Sequence, residues 1–296
     1  MKCAAVLLGA GRGTRLGFDK ILTPLAGKPV ILYALEALLK APSVERIVVT
    51  TRSDVLQPMQ ELIQSTAPSK PVDVIIGGTE RQDSVALGLE HLGEKAKIAL
   101  IHDGARPLLS VDMIECSIAA AQKHGAVVCA QKASDTLKRA NAEAMVEETL
   151  DRSKIWQIQT PQVFRTELIL KAYRHVQQNK LPITDDASAV ETLDHPVWLV
   201  ETNELNLKIT REMDWKFLEL WLGQGEQGNM NEVRKLLHDV CNLTSPLTGY
   251  MPLLEKYGGN DPKFLQYFEK VRNATSAMES KLKALQQVVG QLSSKN

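Results

Sequence analysis

Short apolar runs alternate with longer amphipathic segments from residue 3 to about residue 222. Five runs combine β-branched and small apolar residues, which predicts strands buried on both faces: 3–8, 46–51, 72–76, 98–102 and 126–130. Four segments between them have a helical period: 30–39, 55–63, 84–92 and 111–124. Repeated strand–helix–strand units predict an α/β fold with a doubly wound, mostly parallel, Rossmann-like sheet. Such a sheet binds ligands at the carboxyl ends of its strands.

Two later segments depart from this rhythm. Residues 133–162 are polar and alternating, which predicts a β-arm that projects from the sheet and packs on a partner. Residues 223–229 are polar and glycine-rich and predict a linker. The chain therefore divides into a domain over residues 1–222, a linker and a C-terminal segment over residues 230–296.

The C-terminal segment has apolar positions at alternating spacings of four and three, interrupted near residues 257–262. This pattern predicts an α-helical hairpin, which buries its seam by pairing with another copy or by docking on the first domain. The stretch around His238 also resembles the phosphotransfer helices of sensor histidine kinases. We favour a dimerisation module, and a scaffold or phosphotransfer protein that uses His238 stays open as an alternative.

Charge and composition exclude several classes of protein. The chain of 296 residues has 35 Lys+Arg and 35 Asp+Glu, so no basic excess favours nucleic acid or a membrane surface as a partner. A hydrophobic content of 44% excludes disorder for most of the chain. Four scattered cysteines form no zinc or disulfide pattern. No apolar run reaches the ~20 residues of a membrane span, no secretory signal is recognisable, and we expect a cytoplasmic protein.

The loop after the first predicted strand has the strongest chemical signal. It reads Gly9-Ala10-Gly11-Arg12-Gly13-Thr14-Arg15-Leu16-Gly17 and is followed by Asp19-Lys20. Glycines let the backbone approach a ligand closely, and successive N–H groups can hold a polyphosphate. The spacing fits neither the P-loop nor the dinucleotide-binding pattern. Arg15 and Lys20 are candidates for neutralising charge in phosphoryl or nucleotidyl transfer, and a solvated surface turn is the alternative.

Together with residues 24–29, this loop resembles the signature of nucleotidylyltransferases that join a sugar or polyol phosphate to a nucleoside triphosphate. Six later motifs, in the same order, are similar to those of the methylerythritol-phosphate cytidylyltransferase family of the non-mevalonate isoprenoid pathway. They are GGTERQDSV from residue 77, IHDGARP from 101, DTLKR from 135, QTPQ from 159, TDDASA from 184 and NLKIT from 206. The resemblance covers about 220 residues.

The resemblance implies a role for each matching residue. Arg15 and Lys20 are expected to stabilise the transition state at the α-phosphorus, and Asp103 to hold Mg²⁺. Contacts to the nucleotide are expected from Gly9, Ala10, Gly11, Gly78, Thr79, Ser84 and Asp103. Contacts to the polyol phosphate are expected from Arg106, Thr136, Arg152, Thr160, Thr184 and Lys208. His102 is expected to support the site.

The implied reaction uses CTP and methylerythritol phosphate and releases pyrophosphate. In the family the arm reaches the neighbouring subunit's site, which implies a homodimer through the β-arm, with the C-terminal hairpin as a second candidate contact. Two positions differ from many relatives: Asp19 stands where proline is common, and Thr79 where some have aspartate. We expect Asp19 to tune the adjacent Lys20 ammonium. A ribitol-phosphate substrate is the alternative within the same fold.

Overall fold

The computed structural model describes residues 2–11, 17–93, 96–202, 205–223 and 269. The strands are β1 Cys3–Leu8, β2 Pro24–Leu25, β3 Lys28–Pro29, β4 Val44–Thr51, β5 Val72–Ile76, β6 Ile98–Asp103, β7 Ala126–Lys132, β8 Lys138–Ala140, β9 Val146–Thr149, β10 Trp156–Arg165 and β11 Trp198–Glu201. The α-helices are α1 Val30–Lys40, α2 Leu56–Ser65, α3 Arg81–Leu92, α4 Val111–His124, α5 Thr166–Asn179, α6 Asp186–Glu191 and α7 Glu212–Gly223.

The central sheet confirms the predicted doubly wound α/β architecture. Its order is β11-β7-β10-β6-β1-β4-β5, and every neighbouring pair is parallel except those that β10 forms with β6 and β7. Strand β1 is buried on both faces: Ala5 and Leu7 pack with α1, α2 and α4, whereas Ala4 and Val6 pack with α3, α5 and α6. Burial of both faces explains why this strand reads as an unbroken apolar run.

The arm is shorter than the sequence predicts. Strands β8 and β9 form an exposed antiparallel hairpin within the predicted range of 133–162. The chain re-enters the central sheet at Trp156, where β10 begins between β6 and β7. Thr160 and Gln162 of β10 are buried and hydrogen-bonded beside the candidate site. The chain therefore belongs to the central sheet from Trp156 onward, short of the approximate limit of 162.

The chain divides into two compact units, residues 1–220 and residues 221–296, and α7 crosses that division. The predicted hairpin over 230–296 lies outside the described residues apart from Glu269, and it includes His238. The linker over 223–229 lies outside them apart from Gly223. These boundaries stay predictions. No helix in the described part of the chain is both long and apolar enough to cross a bilayer.

Close packing of α3 on β1 generates a test of the fold. A Cβ atom on Gly88 would lie 2.6 Å from Cγ1 of the buried Val6. Overpacking of this kind costs about 1–3 kcal/mol, whereas alanine is favoured over glycine within a helix by only roughly 1 kcal/mol. We therefore expect Gly88→Ala to lower the free energy of unfolding by about 1–2 kcal/mol in urea titrations. In a Gly88→Ala/Val6→Ala variant the loss should be smaller than the sum of the single losses, and strict additivity would contradict the contact.

Candidate active site

A cavity of about 820 Å³ lies at the carboxyl ends of β1, β4, β5 and β6. Parallel strands present their carboxyl ends at one edge, so loops distant in sequence meet there. The lining includes Ala10, Gly11, Lys20, Arg52, Asp54, Gly78, Thr79, Glu80, Arg81, Ser84, Asp103 and Lys208. The structure therefore brings together eight of the predicted residues: Ala10, Gly11, Lys20, Gly78, Thr79, Ser84, Asp103 and Lys208.

At Gly9 and Gly78, neighbouring protein atoms leave no room for a side chain. A Cβ on Gly9 would lie 2.9 Å from the Ile31 side chain and 3.0 Å from the Thr50 carbonyl oxygen. A Cβ on Gly78 would lie 2.1 Å from Cβ of Asp83 at the start of α3. Both glycines thus let the walls of the cavity pack closely, which is a different reason from the ligand approach that their sequence context suggested.

The turn before α3 is fixed by its own hydrogen bonds. The Ser84 hydroxyl accepts a hydrogen bond from the Gly78 N–H at 3.1 Å. Glu80 and Asp83 form a reciprocal capping box, in which each side chain accepts from the other residue's N–H. Because these groups satisfy the first N–H donors of α3, Gly78 and Thr79 line the cavity on a fixed backbone.

Asp103 is the centre of a charged cluster at the end of β6. Its carboxylate lies 2.7 Å from Nζ of Lys208, 3.1 Å from Nε of Arg81 and 3.7 Å from Nε of Arg106. The side chain is only 8% exposed. Burial alone would raise its pKa, but Arg81 and Lys208 outweigh burial and hold the pKa of Asp103 well below its usual range. This carboxylate is therefore ionised throughout the neutral pH range.

Arg81 connects this cluster to a second buried carboxylate. It donates two hydrogen bonds to Asp186, at 3.0 and 2.8 Å, and Asp186 also accepts from the Tyr173 hydroxyl at 2.6 Å. Burial would lower the pKa of Arg81, but Asp186 and Asp103 raise it above its usual value. The bidentate geometry fixes the plane of the guanidinium, so α3 and α6 together orient the group that contacts Asp103.

His102 supports Thr160 from the interior. The Thr160 hydroxyl accepts from the Asp103 N–H and lies 3.1 Å from Nδ1 of His102, and Nε2 of His102 lies 3.2 Å from the Arg106 carbonyl oxygen. A carbonyl oxygen only accepts, so we assign the ring proton to Nε2, and Nδ1 then accepts from Thr160. Burial lowers the pKa of His102 to about 4. A neutral histidine thus holds Thr160 in one orientation.

The segment before α7 closes one side of the site. Nζ of Lys20 donates to the Ile209 carbonyl oxygen at 2.7 Å, and the Ile209 N–H donates to the Ala105 carbonyl oxygen at 2.9 Å. The buried Asn206 accepts from Arg106 at 2.6 Å through its carbonyl oxygen. Its side-chain amide donates to the Thr160 carbonyl oxygen at 2.7 Å. These bonds tie the first loop, β6 and β10 to one short segment.

Four predicted residues lie apart from this cavity or cannot be described. Arg15 lies outside the described residues. Thr136 and Arg152 are exposed near the base of the arm, where Arg152 donates to the Ser134 carbonyl oxygen. Thr184 is exposed and lines a second cavity of about 440 Å³, which shares Arg81 with the first. Their predicted roles stay predictions.

Sequence reasoning missed Arg52, and it assigned no role to Arg81 or Asp186. Arg52 directly follows β4, the position where a parallel sheet presents side chains to a ligand. That placement was the available signal for Arg52. Arg81 and Asp186 lie within recognised motifs, but their pairing joins residues 105 positions apart in the chain and is not visible in any local pattern.

Asp103 is the described carboxylate best placed to hold a metal ion. No group of three or more His, Cys, Asp or Glu side chains forms a metal cluster within the described ranges. Mg²⁺ commonly takes one or two carboxylates and completes its coordination with substrate phosphates and water. A single ionised carboxylate beside a cavity therefore fits a Mg²⁺ that is bound together with a polyphosphate.

Comparison with known proteins identifies close relatives of the whole first unit. The family model for 2-C-methyl-D-erythritol 4-phosphate cytidylyltransferase (IspD) matches residues 3–224. The enzyme of that name from Dehalococcoides mccartyi is 40% identical over 225 residues, which are 76% of this chain and 97% of the relative. A bifunctional enzyme IspD/IspF from Desulfotalea psychrophila is 37% identical over 230 residues, which are 77% of this chain but 58% of that longer protein.

A solved structure has the same fold. The crystal structure of 4-diphosphocytidyl-2C-methyl-D-erythritol synthase from Anaerococcus prevotii matches with a TM-score of 0.68 and 27% identity. The match covers 75% of this chain and 96% of that one. The part of this chain that follows residue 224 lies outside the family match.

The neutral, buried state of His102 can be tested through the pH dependence of folding stability. His102 has a pKa of about 4 when folded against an ordinary value of 6.5, so between these values the unfolded chain binds a proton that the folded chain does not. Stability should therefore fall as pH decreases from about 6.5 to about 4, by up to roughly 1.4 kcal/mol per pH unit for this one group. Urea titrations between about pH 7.5 and about pH 5 should show a smaller fall for His102→Asn. His175→Asn, on the surface of α5, is the matched control, and equal pH slopes for His102→Asn and the wild type would contradict the assignment.

Proposed function

The chain belongs to the 2-C-methyl-D-erythritol 4-phosphate cytidylyltransferase family, and on that premise we propose which of its residues perform the reaction. It is a nucleotidyltransferase that transfers a cytidylyl group from CTP to 2-C-methyl-D-erythritol 4-phosphate in isoprenoid biosynthesis. The products are CDP-methylerythritol and pyrophosphate. The observation that carries our assignment is the convergence of Lys20, Lys208 and Asp103 on one cavity that also contains Gly78 and Ser84.

The nucleotide lies, in our proposal, along the ends of β1 and β5. Backbone groups of Ala10, Gly11 and Gly78 approach the base and ribose, and Ser84 keeps the Gly78 turn in place. Lys20 and Arg15 contact the triphosphate. Fixed cations in a partly closed site stabilise developing negative charge without reorganising, which is the main requirement of a nucleotidyl transfer.

The acceptor binds on the Asp103 side of the cavity. Lys208 and Arg106 neutralise its phosphate, and the Thr160 oxygen, whose proton is donated to His102, accepts from a hydroxyl of the polyol. One phosphate oxygen attacks the α-phosphorus of CTP in line, a new P–O bond forms, and the bond from the α-phosphorus to the bridging oxygen breaks as pyrophosphate leaves. No protein nucleophile is needed, because proximity and charge neutralisation supply the rate acceleration.

Nucleotidyltransferases of this kind generally depend on a divalent metal, and we propose Mg²⁺ held by Asp103. When bound, this ion would neutralise phosphate charge near the α-phosphorus. Lys208 already contacts the same carboxylate at 2.7 Å. Asp103 therefore serves as a shared counter-ion, and Lys208 is close enough to pass from the carboxylate to a neighbouring phosphate.

We further propose a cytoplasmic homodimer. Strands β8 and β9 form an exposed arm, and Arg152 lies at its base, apart from the Asp103 cavity of its own chain. An exposed hairpin of two short strands gains stability by packing on another surface. Exchange of the arms would let Thr136 and Arg152 complete the acceptor site of the neighbouring subunit.

Removal of the Lys20 ammonium tests whether this group stabilises the transition state. We expect Lys20→Ala to lower kcat by about 10²- to 10³-fold, as removal of a transition-state donor does in other enzymes. CTP should still bind, because the other contacts to the nucleotide remain. Pyrophosphate release with CTP and methylerythritol phosphate measures turnover, and calorimetry measures binding. Lys123→Ala, exposed on α4, is the control, and wild-type turnover by Lys20→Ala would exclude this role.

Mixing two inactive variants tests arm exchange. In a mixed dimer of Lys20→Ala and Arg152→Ala subunits, one site carries both changes and the other carries neither. Random pairing should therefore restore about a quarter of wild-type activity per subunit, because two-fold symmetry makes half of the dimers mixed with one intact site each. Size-exclusion chromatography with light scattering checks the dimer. Absence of any recovery from a mixture that forms mixed dimers would show that Arg152 serves its own chain.

A further inference from the structure

One arginine contacts both ends of the glycine-rich loop. Arg52, directly after β4, donates from Nη1 to the Gly11 carbonyl oxygen at 3.4 Å and from Nη2 to Asp19 at 2.7 Å. Its Nε donates to Asp54 at 3.0 Å. The Arg52 side chain is 16% exposed, and it lines the same cavity as Lys20.

The two contacted residues lie on either side, in sequence, of the segment that carries Arg15. Gly11 precedes that segment and Asp19 follows it, so a single guanidinium joins its two ends. Holding the ends of a loop together removes part of the conformational entropy that ordering the loop would otherwise cost. The planar guanidinium has donors in fixed directions, which makes Arg52 suited to setting the distance between the two ends.

Asp19 in turn sets the backbone around Lys20. One carboxylate oxygen accepts from the Ile21 N–H at 3.0 Å, while the other pairs with Arg52. The Asp19 carbonyl oxygen accepts from the Thr23 N–H at 3.0 Å. The turn that contains Lys20 is therefore organised by Asp19, and the Lys20 ammonium donates to the Ile209 carbonyl oxygen.

We propose that Arg52 is a positioning residue for this reaction: it joins the ends of the glycine-rich loop and engages the Asp19 carboxylate, which would otherwise attract the neighbouring Lys20 ammonium. This inference rests on the proposed function, because it assumes that Lys20 acts on the triphosphate.

Three variants separate this role from simple structural support. Arg52→Ala removes the link and leaves the Asp19 carboxylate beside Lys20. Asp19→Asn removes the charge but keeps an oxygen that can accept from the Ile21 N–H. The double variant removes both the link and the competing charge. Arg46→Ala is the matched control, because Arg46 lies on β4, the strand that Arg52 follows, and pairs with Asp73 away from the cavity.

We expect Arg52→Ala to lower kcat by about 10- to 100-fold, the size of effect that a small misplacement of catalytic groups produces. The KM for CTP should change by less than about threefold, since the Arg52 donors are already engaged by Gly11, Asp19 and Asp54. Adding Asp19→Asn should recover at least about fivefold of the lost kcat. Arg46→Ala should retain wild-type kinetics.

Amide hydrogen exchange of the segment over residues 9–22 gives a readout independent of turnover. The exchange should be faster in Arg52→Ala than in the wild type and unchanged in Arg46→Ala. Wild-type kcat in Arg52→Ala, or unchanged exchange, would overturn the proposal. A loss confined to the KM for CTP, without recovery by Asp19→Asn, would instead make Arg52 a direct nucleotide ligand and would also overturn it. If the wild type itself failed to turn over CTP, the proposed function would fail, whereas hydrogen exchange would still test the link.

Discussion

The Asp103 carboxylate is buried at the end of β6 and is surrounded by Lys208, Arg81 and Arg106. A buried carboxylate costs several kcal/mol in lost hydration, and that cost is offset only when well-placed cations and hydrogen bonds replace water. Arg81 and Lys208 come from distant parts of the chain, whereas Arg106 follows Asp103 by three residues. The positions of α3, of the turn after β6 and of the segment before α7 are therefore linked through one ionised group, and each needs the others to be in place.

This dependence also determines how the site can respond to an anionic substrate. Lys208 is paired with Asp103, and Lys20 donates to the Ile209 carbonyl oxygen. In the proposed mode of binding, the oxygens of a phosphate replace these partners, and the cations stay close to their present positions. Because the protein has already oriented them, little reorganisation accompanies the reaction. Arg81 is different, since its bidentate pair with Asp186 commits it to orienting Asp103.

Much of the fold could be predicted, because strands buried on both faces leave an unbroken apolar run. The bounds of β1, β5 and α4 were predicted without error, and the family and its reaction were confirmed. The point where the arm gives way to β10 could not be predicted, because the polar residues of β10 are buried by partners that local sequence does not reveal. Contacts between residues far apart in sequence, such as that of Arg81 with Asp186, produce no periodic pattern in the local sequence. The roles of Arg15, Thr136 and Arg152 stay predictions.

Two consecutive residues of one turn, Asp19 and Lys20, contact separate elements. Asp19 pairs with Arg52 after β4, and Lys20 donates to the Ile209 carbonyl oxygen before α7. Because these consecutive side chains bind separate elements, the turn links the positions of those elements. Movement of the loop would thus strain both attachments together. In a site whose chemistry relies on fixed charges, such double attachment matters because it limits the positions that Lys20 can take before the substrate arrives.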